Sequence, residues 1–325
     1  MVTSPAIDWK RGASVLICQC VKILYGYVQC VGNPLGKTRR AHDQSQQWPI
    51  QPQSRREPEP AIVHLMFVFP DSPRVVFKKN PLTEVICQLR FPPILQIASE
   101  EPSGFQELIR SQYPFYERTQ AIPQEISTLF AQLSIAPALP AEWIAHRFLT
   151  ADKACHISLT RDFIAVSALK YTRWENFRRE IVTARKALEK IYSPAFYTRV
   201  GLRYRDVIDR RNLALENTAW KELFRPSLAG LLGEAEIAEH LASTQNQTQI
   251  KLAQEGQFML LQHGSTPLSG GEQGYAIDAD FFSPAQLSGD GALDVLDRFN
   301  RIAGNFFRWA ITERLSAALE PTQLD

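Results

Sequence analysis

Hydrophobic and polar positions first fall into register at residues 80–93, NPLTEVICQLRFPP. Thr83, Val85, Cys87, Leu89 and Phe91 share one side of an extended chain, while Glu84, Ile86, Gln88 and Arg90 share the other, the period of a strand with one buried face. Pro81 sets the turn before it, and Pro92 and Pro93 end it because neither can donate to a sheet ladder. The spacing then predicts a helix over 103–112, with Ser103 and Gln106 placed as a capping box and Phe105, Leu108 and Ile109 as its apolar stripe, stopped by Pro114. An irregular, proline-bearing tract leads to Trp143. From there EWIAHRFLT, ACHISLT and FIAVSALKY read as a three-strand meander with turns at Asp152-Lys153 and Arg161-Asp162.

A clearer helix follows. Thr172 and Glu175 have capping-box spacing, and Trp174, Phe177, Ile181, Ala184, Leu188 and Ile191 recur at three and four residues until Pro194. The opposite face, with Arg178, Arg179, Arg185 and Lys186, reads as solvated. In FYTRVGLRYRDVIDRR, Val200, Leu202 and Tyr204 alternate with Arg199, Gly201, Arg203 and Arg205, so one strand presents an apolar stripe and a row of arginines. Like charges in a row need a counter-charge. YAIDADFFS supplies one, with Asp278, Asp280 and Phe282 on the face opposed to Ile277, Ala279 and Phe281.

Residues 213–233 read as a turn and a short helix joining two halves, and EIAEHLAST, TQIKLAQEG and QFMLLQHG as two or three more strands. The glycine-rich STPLSGGEQGY lacks the spacing of a phosphate loop and reads as a hairpin connection. The longest predicted helix, 292–319, closes the chain, with Val295, Leu296, Phe299, Ile302, Phe306, Ile311 and Leu315 on one side and a length of roughly 42 Å at 1.5 Å per residue. Strands and helices without strict alternation imply an α+β fold: mostly antiparallel sheet packed by a few helices, including this long C-terminal amphipathic one.

Composition narrows the picture. The chain of 325 residues is 45% hydrophobic and 22% charged, averages of a soluble globular protein. Residues 13–31 are the most apolar early stretch, but Gln19, Lys22 and Gln29 interrupt them, so no membrane span is expected. Five cysteines without regular spacing argue for a reducing, cytoplasmic location. Residues 1–65 hold eight Lys or Arg against four Asp or Glu, and the rest holds 28 against 30; that balance argues against a nucleic-acid-coating domain but leaves a small anion open. The polar tract AHDQSQQWPIQPQSRREPEP predicts that 1–65 is a disordered tail, or an extension upstream of a start at Met66. The alternative is a membrane-surface or partner-binding helix at 13–31. An N-terminal α+β half is then expected over 66–212 and a β-rich half ending in the long helix over 213–325.

Chemistry is sparse. His146, His156, His240 and His263 lack ligand spacing, Cys87 and Cys155 sit where buried, inert thiols are expected, and no G-x-S-x-G elbow occurs. No cofactor is indicated. Asp278 and Asp280 offer two carboxylates to a divalent metal, an incomplete set. Arg199, Arg203 and Arg205 suit a phosphate or carboxylate, although the two rows are expected to balance each other across the sheet. Three functions stay open: a non-enzymatic interaction or regulatory protein with a protein partner or a second copy, a binder of a small anion or nucleic acid through the arginine row, and a metal-dependent enzyme using the aspartates.

NPLTEVICQLRF, RVGLRYRDVI, AIDADFF and FFRWAITERL, in that order, resemble the landmarks of a sporadically distributed bacterial family of unknown function. Its first motif resembles NP-x-x-E-V and its central one R-x-G-L-R-Y-x-x-x-I. The resemblance covers about 75–319 and departs at Asp206 and Val207, where relatives tend toward an Ile-Asn-Arg-like continuation. It implies no activity, cofactor or catalytic residue.

Overall fold

The computed structural model describes residues 69–120, 144–269 and 271–323. The expectations for 1–65, for a helix at 13–31 and for the tract before Trp143 lie outside the described residues. The compact unit comprises residues 63–325.

The alternating segment forms β2 (Leu82–Arg90), preceded by a short β1 (Val75–Phe77) and followed by α1 (Leu95–Ser99) and α2 (Ser103–Ile109). β3 (Phe115–Gln120), β4 (Ile144–Leu149), β5 (Cys155–Leu159) and β6 (Phe163–Ala168) make the meander, and α3 (Trp174–Tyr192) follows. Next come β7 (Arg199–Ile208), two short helices α4 (Pro226–Ala229) and α5 (Ala235–Ala238), then β8 (Gln245–Lys251), β9 (Phe258–Pro267) and β10 (Gln273–Ser283). The chain ends in α6 (Gly289–Ala310), α7 (Glu313–Ala318) and β11 (Pro321–Gln323). Nine strands form one antiparallel sheet in the order β3-β4-β5-β6-β2-β7-β10-β9-β8, and β1 pairs with β11 apart from it. The fold is α+β.

The strand order contains a repeat. β2 runs into a helical connection, a meander whose last strand β6 returns beside β2, and then α3; β7 runs into a helical connection, a meander whose last strand β10 returns beside β7, and then α6. The two copies join at the antiparallel β2–β7 pair in the middle of the sheet, Cys87 opposite Leu202. The division expected after residue 212 therefore separates β7 from β10, its neighbour in the same sheet.

Both long helices lie on one face of the sheet. Val85, Cys87 and Leu89 of β2, Val200 and Leu202 of β7, and Ile277, Ala279 and Phe281 of β10 are buried with Ile181 and Leu188 of α3 and Phe299 and Phe306 of α6. Among the described residues no helix is long and apolar enough to cross a membrane.

Several local expectations are corrected. The terminal helix breaks after Ala310, so α6 is about 33 Å long. Ile311 bridges Phe224, the Thr312 amide donates to the Leu223 carbonyl, and the Thr312 hydroxyl caps α7 by accepting from the Leu315 amide; two β-branched residues take extended backbone where tertiary partners reward it. Neither capping box forms. Pro102 rather than Ser103 precedes α2; Arg173 precedes α3, while Glu175 pairs with Arg74 and the Thr172 hydroxyl accepts from the Asn176 amide. The charged face of α3 is not wholly solvated: Arg185 is 8% exposed, between Glu189 and Asp290, because the start of α6 packs against it. EIAEHLAST holds α5 rather than a strand.

Candidate functional site

The arginine row and the aspartates meet on the sheet face opposite the long helices. Arg203 grips Asp278 in a two-pronged bond, Nε to Oδ1 at 2.5 Å and Nη2 to Oδ2 at 2.6 Å. Arg205 bonds Glu84 at 3.0 Å and reaches Asp278 at 3.2 Å. Arg199 donates to Asp280 at 2.7 Å and to Gln88 at 3.1 Å, with its guanidinium 4.8 Å from the Phe282 ring centre. To reach Asp280 it passes over Gly201, where a Cβ would collide with the guanidinium, which explains a glycine in the middle of a strand. Backbone register sets Asp280 opposite Arg203 and Asp278 opposite Arg205, so Arg203 and Arg199 pair along diagonals. Burial pushes the Asp280 carboxyl above its ordinary range in spite of Arg199, and the bonds to Asp278 raise Arg203 further. Each guanidinium of the row is thus held by a carboxylate, and both aspartates are held by arginines. Among the described residues no group of three or more His, Cys, Asp or Glu is arranged to hold a metal.

Cys87, Cys155 and His146 are held within the packing of the fold, whereas His240 is exposed. Burial raises the Cys87 thiol and pushes Cys155 up to about 11. His146 is buried, bonded to the Tyr116 hydroxyl at 2.9 Å and to the Ile97 carbonyl at 3.1 Å.

The helix-covered side of the sheet holds a feature that the motifs did not announce. Residues 69–81 form a strap along α6. Its far end is pinned by the β1–β11 ladder and by Lys78 and Lys79 amides donating to the Glu320 and Leu319 carbonyls. Its near end is anchored by Phe69, 5.1 Å from Phe306 and 5.3 Å from Trp309 between ring centres. Between them, Asp71 accepts from Arg301 and from Asn305, and the Ser72 carbonyl accepts from Arg308. Strap, α6, the start of α3 and the sheet line a half-open cavity of about 680 Å³. Ala279, Phe281, Phe306 and Phe307 give it an apolar wall, and Tyr171, Tyr204, Asn300 and Asp206 a polar one.

Asp206 is the residue that sequence reasoning missed. It continues the core-facing stripe of β7, two residues beyond Tyr204, and is 6% exposed. Burial, assisted by the charge of Asp278, pushes its carboxyl up to about 8. Beside it the Tyr204 hydroxyl, also raised by burial, donates to Asn300 Oδ1 at 3.0 Å. Strict alternation through Val200, Leu202, Tyr204, Asp206 and Ile208 was the available signal. At the same rim Asp297 accepts from the Trp174 indole at 2.7 Å and from Arg178 at 2.9 Å, tying α3 to α6.

Comparison with protein-family models and with curated proteins finds no match to this chain.

Proposed function

We propose that this chain is a non-enzymatic, ligand-responsive regulatory protein that takes a small molecule into the cavity beneath the strap. One observation carries the reading: a half-open cavity of about 680 Å³ with aromatic residues on one wall and polar and charged groups on the other, a size typical of small-molecule sites. An occupant would touch the strap and α6 at once, so binding would tighten the strap and alter the surface offered to a partner. The cysteine usage supports a cytoplasmic setting for this role. The arginine row is assigned to holding the sheet, since its guanidinium groups already have carboxylate partners.

The test is a screen of aromatic fragments by ligand-observed NMR on the full chain, repeated on Ala303→Phe, which fills the cavity from α6, and on Val76→Trp, which fills it from the strap. Fragments that bind at up to millimolar concentration should lose binding in both variants while the melting temperature is kept. Fragments that bind both variants as well as the parent, or the lack of any binding fragment, would overturn the reading.

A further inference from the structure

We infer that the ligand carries a protonated nitrogen, an amine or amidine on an apolar body, and that Asp206 is its counter-ion; this rests on the cavity being a ligand site. The reason lies in how the carboxylates of the cavity are partnered. Asp71 accepts from Arg301 and Asn305, and Asp297 from Trp174 and Arg178. Asp206 is buried more deeply than either and lines the same cavity, and burial and the Asp278 charge, with no hydrogen bond, set the behaviour of its carboxyl. A buried carboxyl without a partner is costly, and an apolar residue of similar size would fold better there. A buried acid on the wall of a half-open cavity with an aromatic side is suited to a cation arriving from outside.

Of the four arginines along the cavity, Arg74 is paired with Glu175, while Arg173 lines the wall and Arg308 keeps a buried Nε without a hydrogen-bond partner among the described residues; Asp206 is the acid that must be set against them. Arg301 is tied to Asp71 and Arg308 to the Ser72 carbonyl and Asn305. A hard divalent ion takes six or more oxygens, and no cluster of three acidic or metal-ligating side chains surrounds Asp206 among the described residues. An organic ammonium or amidinium needs less: one carboxylate for the charge, with Phe281, Phe306 and Phe307 along the wall to receive the apolar body. Burial pushes the Asp206 carboxyl up to about 8, and a cation placed beside it would favour its ionised form.

Binding of tryptamine and benzamidine to the full chain, measured by calorimetry at neutral pH against their uncharged counterparts tryptophol and benzamide and against indole-3-acetate, tests the inference. At least one cation should bind tenfold or more tightly than its uncharged counterpart, and indole-3-acetate should bind weakest. In Asp206→Asn, which preserves the shape of the protonated carboxyl, the preference should fall below threefold with tryptophol affinity unchanged. Tryptophol or indole-3-acetate binding as well as tryptamine, with loss on Ala303→Phe, would keep the cavity as a ligand site and overturn the cation. A preference that survives Asp206→Asn, or no binding of either cation at millimolar concentration, would also overturn it.

Discussion

A carboxyl on the core-facing side of β7, at Asp206, has a consequence for stability that is independent of any ligand. In the unfolded chain the group titrates near 3.8, and in the folded protein burial holds its proton up to about 8. Between those values the folded state binds more protons than the unfolded one, so this contribution is full below the lower value, falls as pH rises, and levels off above the upper one. Asp206→Asn removes the dependence. Denaturant unfolding of the variant should match the parent near pH 4 and exceed it near pH 8, by up to roughly 5 kcal/mol at ~1.4 kcal/mol per tenfold change in proton affinity. A parent and variant with parallel stability profiles across that range would show that the carboxyl reaches water.

Pairs of strands are the next scale. The β7–β10 ladder carries opposite charges on one face, and the Arg203–Asp278 bond is largely shielded, with side-chain exposures of 29% and 16%. Removing one partner of such a pair leaves the other uncompensated. Arg203→Ala and Asp278→Ala should each cost on the order of 1–3 kcal/mol, and the double variant should cost less than their sum by about 1 kcal/mol, read from urea unfolding as a double-mutant cycle. Strict additivity would remove the structural role and return the row to the list of ligand sites. The elements themselves were legible in the sequence wherever periodicity was long and one-sided: β2, β7, β10, α3 and the body of α6. They were misread where a distant partner decided, as at Ile311 and Thr312, whose extended backbone is held by Leu223 and Phe224, and at Glu175, claimed by Arg74. Local pattern carries no information about a partner some 90 or 100 residues away.

The described residues form two similar β-and-helix units sharing one sheet. Their seam is the β2–β7 pair, buried under both long helices with Val85, Cys87, Leu89, Val200 and Leu202 continuous in one core. A core without a boundary at the seam should unfold as one cooperative unit. Circular dichroism and the fluorescence of tryptophans from both units, Trp174 in the first and Trp220 and Trp309 in the second, should report coincident transitions; two separated transitions would show that the units are independent domains.

By itself the sequence determined the fold class, the strands with one buried face, the amphipathic helices and the opposition of an arginine row to an aspartate row, because periods of two and 3.6 residues and the sign of a charge are local properties. Tertiary structure alone decided which guanidinium meets which carboxylate, that the order of elements repeats about a central strand pair, and that residues 69–81 form one wall of a cavity beside Asp206. Those depend on register, on strand pairing and on packing between segments more than 100 residues apart, where the deciding energy belongs to the contact and to neither stretch of chain alone.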